Sequence, residues 1–176
     1  MKVAIFNGSP KKEDGTSALT ASVKDMMTAE GASAEEYFLY HMGIKGCLTC
    51  GPKGGCKDDV LKQLIDEFLS SDIVVFACPI LMGRLAEPVN LITDVLNSEA
   101  RFNESAAEAM KGKRIALAVT IDADEKFAVD GINYMKFFCD GTGLDYRGSI
   151  VIPHADREKV TSPAYQEKIR DFVSGI

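Results

Sequence analysis

Apolar residues along this chain gather in short, nearly unbroken runs, separated by longer stretches where they recur every three or four positions. Residues 3–6, 73–77, 115–119 and 149–152 are almost continuously apolar and rich in β-branched side chains. That is the pattern of strands covered on both faces of a parallel sheet. A fifth run, residues 35–40, is more mixed, and Glu35 and Glu36 suit an edge position. Between the runs the period changes to that of a helix. Leu19, Val23, Met26 and Met27 form one apolar stripe, and Leu61, Leu64, Ile65, Phe68 and Leu69 another, placed after the cap candidates Asp58 and Asp59. Pro88 is placed to start a helix carrying Val89, Ile92, Val95 and Leu96. Ile132, Met135, Phe138 and Cys139 mark a fourth helix, ended near Gly141 and Gly143. Ser162-Pro163 opens a fifth, with Tyr165, Ile169, Phe172 and Val173 inward.

The order is β-α five times over, with no linker or repeat to suggest a second domain, so residues 1–176 are expected to form one domain. Alternation with buried strands implies an α/β doubly wound parallel sheet, and for five strands the common order is 2-1-3-4-5. Such a sheet binds ligands at the carboxyl ends of its strands, where strands 1 and 3 send their connections in opposite directions. The loops to watch are therefore residues 7–17, 78–86 and 120–127.

Composition narrows the classes without choosing among them. Hydrophobic residues are 46% and charged residues 26% of the 176, which is globular and leaves no room for extended disorder. The formal charge of −6 and the lack of a Lys/Arg stripe argue against a nucleic-acid partner. No apolar run approaches the length of a membrane span. The N-terminus passes directly from Val3-Ala4-Ile5-Phe6 to Asn7-Gly8-Ser9-Pro10, so no secretory leader is expected and a soluble cytoplasmic protein is. Five cysteines, an odd number, stand at positions 47, 50, 56, 78 and 139. They do not read as a disulfide framework in a chain of this kind.

Chemistry is legible in two of the loops. The first, residues 7–17, offers hydroxyls at Ser9, Thr16 and Ser17, glycines, Lys11, Lys12 and the start of a helix. Those are the groups a phosphate needs, although neither a Walker loop nor GxGxxG is present. A polar connection in which Thr16 or Ser17 merely caps the helix explains the same residues. In the second loop Pro79, Ile80, Leu81, Met82 and Gly83 put apolar side chains where a strand end should be wet. A flat apolar ligand would cover them, and so would the core or a partner subunit.

Taken in order, Asn7-Gly8-Ser9-Pro10, Gly15-Thr16-Ser17, Cys47-x2-Cys50…Cys56-x-Asp58-Asp59 and Pro79-x3-Gly83 resemble the NADPH-dependent FMN reductase family, and within it the iron–sulfur flavoprotein branch. The resemblance covers most of the first hundred residues. It implies a flavodoxin-like fold, FMN as cofactor, NAD(P)H as electron donor, a quinone, flavin or protein acceptor, and a homo-oligomer. By the same resemblance Ser9, Lys11, Thr16 and Ser17 would hold the FMN phosphate, Pro79, Ile80, Leu81, Met82 and Gly83 would flank the ring, and Thr120 would join them from the third loop. No catalytic side chain is implied, because the flavin carries the chemistry. An FMN electron carrier without nicotinamide activity, and a flavodoxin-like binding module without FMN, are the alternatives.

Three departures from that family stand out. Leu81 occupies a position that relatives usually fill with an aromatic residue. The third loop reads Thr120-Ile121-Asp122-Ala123-Asp124-Glu125, and carboxylates facing a reduced flavin would disfavour its anion. Relatives with a cluster carry C-x2-C-x2-C-x5-C, whereas here Lys53 stands at the third position and Cys56 at a shortened distance. Three local thiolates fall short of the four a [4Fe–4S] cluster takes, so no metal is expected.

Overall fold

The computed structural model describes residues 1–44 and 58–176. Five strands, β1 (Lys2–Asn7), β2 (Ser33–Phe38), β3 (Ile73–Ile80), β4 (Arg114–Ile121) and β5 (Asp145–Pro153), form one sheet in the order β2-β1-β3-β4-β5. Every neighbouring pair is parallel, as the sequence pattern predicts. Helices α1 (Gly15–Ala29), α2 (Asp59–Ser70), α3 (Glu87–Phe102), α4 (Glu104–Met110), α5 (Val129–Thr142), α6 (Arg157–Thr161) and α7 (Pro163–Ser174) cover its faces.

The unbroken apolar strands follow from having no wet face. Val3 and Ile5 of β1, Ile73, Val75 and Ala77 of β3, and Ala116 and Ala118 of β4 pack against Leu19, Val23 and Met27 of α1, Val160 of α6, and Ile169 and Val173 of α7. The alternate residues Ala4, Phe6, Val74, Phe76, Leu117 and Val119 meet α2, α3 and α5 on the other side. Phe6 and Phe76 stand edge to face with centroids 5.6 Å apart, and both are fully buried. Each contributes roughly 1.5–3 kcal/mol by burial.

Local chemistry sets the ends of the elements. The Asp58 carboxylate accepts from the amides of Val60 and Leu61 and starts α2. Gly143 ends α5 in the left-handed conformation, at φ 74°, where an L side chain would be strained.

The boundaries differ from the sequence reading in places with clear causes. β2 runs over Ser33–Phe38, and residues 39–41 turn into a short 3₁₀ segment because Leu39 dives into the core. The apolar runs of β3 and β4 continue to Ile80 and Ile121, so part of what reads as loop is strand end. Met26, Ile132, Tyr165 and Phe172 are only partly buried, at the flanks of their stripes. Helices α4 and α6 carry little periodicity in seven and five residues. No helix among the described residues is long and apolar enough to cross a membrane.

Candidate functional site

β1, β3 and β4 end side by side, and their connections leave in different directions, so a crevice opens at Asn7, Ile80 and Ile121. The first connection is held by its own side chains. Asn7 is buried, accepts the Ser9 amide on Oδ1 at 2.8 Å, and donates through Nδ2 to Glu36 Oε1 at 2.9 Å and Thr20 Oγ1 at 3.2 Å. Thr20 in turn donates to Glu36 at 2.6 Å. Glu36 thus turns back from the edge strand to brace the loop.

Asp14 is the N-cap of α1. One carboxylate oxygen accepts the Ser17 amide at 2.8 Å, and the other accepts the Ser9 hydroxyl at 2.5 Å. The Ser17 hydroxyl donates to the Lys11 carbonyl at 2.7 Å. Thr16 Oγ1 and Thr120 Oγ1, both buried, share a hydrogen bond of 2.6 Å across the crevice. Lys11 and Lys12 are exposed, with the Lys12 ammonium 5.6 Å from the centre of the Phe38 ring.

The second connection is a tight turn. Leu81 N donates to the Arg84 carbonyl at 2.9 Å, and Arg84 N to the Leu81 carbonyl at 3.0 Å. Met82 and Gly83 between them both have positive φ, 53° and 77°, the geometry of a two-residue reverse turn. Gly suits this position; Met82 holds a conformation that side-chain-bearing residues seldom adopt. Leu81 is 57% and Met82 94% exposed. Together with Ile80, Ile121, Phe127 and Val129 they line an apolar groove of about 650 Å³. Gly131, in the first turn of α5, lets that helix pack closely on Ile80: a Cβ there would lie 2.8 Å from Ile80 Cδ1.

The groove shares Ile80, Leu81, Ile121 and Asp122 with a second, more polar cavity of about 420 Å³. The polar cavity is lined also by Thr16, Pro79 and Thr120, and by Asp14, His154 and Asp156. His154 Nδ1 lies 3.1 Å from the exposed carboxylate of Asp122. Asp156 caps α6 by accepting the Lys159 amide at 2.7 Å. The two helix starts are pressed together, with a Cβ at Gly15 falling 2.4 Å from the Ala155 carbonyl oxygen.

Of the ten residues singled out in the sequence, Thr16, Pro79, Ile80, Leu81 and Thr120 line the polar cavity and Ile80, Leu81, Met82 and Gly83 the groove. Ser9 and Ser17 lie behind Asp14, and Lys11 points to solvent. Sequence reasoning gives no site role to Asn7, which it reads only as part of a motif, to Glu36, which it reads as an edge residue, or to Asp14, His154, Asp156 and Phe127. Asp14 carried a signal, since Asp two residues before Thr16 is a cap pattern. The β5–α6 residues carried none, because only the sheet brings them to the crevice. Buried Cys78 lies on β3 below the turn, its thiol pushed up to about 12 by burial. The expectation about metal rested on Cys47, Cys50 and Cys56, which lie outside the described residues; among those described, no three His, Cys, Asp or Glu are placed to hold a metal ion.

Comparisons with known proteins agree with this fold. The family model for the flavodoxin-like fold matches residues 1–174. No curated protein matches the sequence. Among solved structures, the NAD(P)H:quinone oxidoreductase from Methanothermobacter marburgensis superposes with a TM-score of 0.77 at 12% identity, covering 98% of this chain and 94% of that one. The Trp repressor binding protein from Bacillus subtilis gives 0.75 at 16% identity, with coverages of 97% and 98%. An FMN-dependent NADH-azoreductase from Bacillus anthracis, in complex with FMN, gives 0.70 at 13%, with 99% and 98%. At these identities the likeness is one of fold.

Proposed function

This chain belongs to the flavodoxin-like-fold family, and from that premise we propose that it is an FMN-dependent oxidoreductase that draws electrons from NAD(P)H and passes them to a quinone, flavin or protein acceptor. The observation that carries the reading is the apolar groove at the carboxyl edge of β3 and β4, continuous with a polar cavity at the start of α1. A flat ring with a polar tail needs that pairing of environments. The names of the structural neighbours, among them a quinone oxidoreductase and an azoreductase holding FMN, add support of the kind fold likeness gives.

The residues fit the ring end of FMN well. Leu81, Met82, Phe127 and Val129 are exposed together, an arrangement that favours a ligand covering them. The amides of Met82 and Gly83, which take no part in the Leu81–Arg84 bridge, would be the backbone donors available to the ring's polar edge. At the tail end, Thr16, Thr120 and the backbone of residues 14–16 would face the ribityl chain and phosphate, with the Asp14 carboxylate among them. FMN, when bound, would supply hydride acceptance and two-electron transfer. The chain's own part is to cover one face of the ring, exclude water from it with Ile80 and Ile121, and leave the Met82 side open to a second reactant.

Denaturing the purified protein and identifying the released flavin by chromatography tests the cofactor, and steady-state oxidation of NADH and NADPH tests the donor. FMN with turnover of either nucleotide is expected. FAD as the sole flavin, or failure of FMN and riboflavin to have their fluorescence quenched by the protein, would overturn the reading.

A further inference from the structure

We infer that Asp14 is the specificity-determining residue at the tail end of the proposed flavin site, an internal anion standing where the cofactor phosphate has to bind. The inference rests on the functional reading above and deepens it. Three observations meet at this residue. Its carboxylate holds the Ser9 hydroxyl and the Ser17 amide, two of the donors nearest the start of α1. It lines the same cavity as Thr16 and Thr120, whose hydroxyls are turned to each other. The cavity's other charged groups are Asp122 and Asp156, with His154 beside them, while Lys11 and Lys12 are exposed outside it.

A helix N-terminus favours negative charge, and at α1 Asp14 already supplies one. With the Asp14 carboxylate on the cap, a phosphate meets a like charge and finds the Ser17 amide and the Ser9 hydroxyl already taken. FMN therefore binds against the Asp14 charge, whereas riboflavin, with a neutral hydroxyl at the same end, does not. Asp14 sets the relative affinity of the two flavins.

The test is Asp14→Asn in the full chain, freed of bound flavin. Asn caps a helix as well as Asp does, so the bond to the Ser17 amide is kept while the charge is lost and the Ser9 hydroxyl turns from donor to acceptor toward the new side-chain amide; Asp14→Ser, a second capping residue, guards against an effect peculiar to Asn. Binding is read by quenching of flavin fluorescence. The FMN dissociation constant is expected to fall at least about tenfold, with that of riboflavin unchanged within about twofold, since a like charge a few ångströms from a phosphate is worth that much near a surface. Inorganic phosphate alone, at ~10 mM, should raise the melting temperature of the variant more than that of the wild type. FMN affinity that stays put, or the two flavins tightening alike, would overturn the inference and leave the flavin site standing. Phosphate stabilising only the variant, with no flavin bound by either chain, would support the role of Asp14 and overturn the proposed function. No flavin bound by either chain, with phosphate stabilising both alike or neither, would overturn both.

Discussion

Replacing Gly15 by Ala makes a sharp test because helix propensity and packing predict opposite signs. Gly15 is the first residue of α1, and Ala in place of Gly stabilises a helix interior by about 1 kcal/mol, less at its first position. The structure says the reverse. The new Cβ would stand 2.4 Å from the Ala155 carbonyl oxygen, 2.8 Å from its carbon and 2.9 Å from its Cβ. Two of these three atoms are backbone, so no side-chain rotation relieves them, and either α1 or the β5–α6 connection must move. Overpacking of this kind costs about 1–3 kcal/mol. Set against the propensity gain, a net loss of about 1–2 kcal/mol remains. In a chain of this size that lowers the melting temperature by about 2–8 °C. Gly141 is the control. It lies within α5, and nothing is within 4 Å of a Cβ built there, so Gly141→Ala should stabilise, by up to about 1 kcal/mol. Urea and thermal unfolding of the two variants beside the wild type give the comparison. Gly15→Ala as stable as wild type would refute the claim that the helix start is sealed against β5–α6, and would weaken the account of the polar cavity with it.

Asn7→Ala removes the donor to Glu36 and the acceptor of the Ser9 amide, and should cost about 2–3 kcal/mol in urea unfolding, one of the lost bonds being to a charged group; a loss below about 1 kcal/mol would show that water replaces the network. Burial raises the thiols of Cys78 and Cys139 to about 12, with Asp140 and Asp145 adding to the effect at Cys139. Alkylation at pH 8, mapped by mass spectrometry, should leave both unmodified until the protein is denatured. The carboxyl of Asp72 is held below its usual range by the backbone N–H of Lys2, 2.7 Å away. The native state therefore resists protonation there: the stabilisation is full above the unfolded value of about 4 and fades as the pH falls through the lower folded value. Asp72→Asn should flatten that acid limb of the urea midpoint, and an unaltered limb would place the titration elsewhere.

The strands were readable because their environment has one rule. A strand buried on both faces has to be apolar at every position, and β3 and β4 obey that almost to their last residue. The mixed β2 is legible as an edge, but the purpose of Glu36 is not. A carboxylate on an edge reads as a guard against pairing, whereas its partners Asn7 and Thr20 lie on two other elements, and no spacing joins the three. The short helices α4 and α6 escaped for the reason that five to seven residues hold too little of a 3.6-residue period to distinguish from a polar loop.

The site divides in the same way. Its apolar half announced itself, since residues 80–82 at a strand end are unfavourable without cover, and the structure leaves Leu81 and Met82 exposed there. Its polar half was legible in composition and not in use. Ser9, Thr16 and Ser17 read as free hydroxyls that could meet a phosphate, yet each has a protein partner in the structure: Asp14, Thr120 and the Lys11 carbonyl. Buried hydroxyls are rarely left unpaired, and these three find their partners within the chain. A ligand at this end exchanges those internal bonds for its own. Its net gain is the difference between two sets of charge-assisted bonds and not the sum of the new ones. For that reason the loop's donors, counted alone, would overstate an affinity for phosphate, and the proposed role of the Asp14 carboxylate, which no donor count includes, enters through that difference.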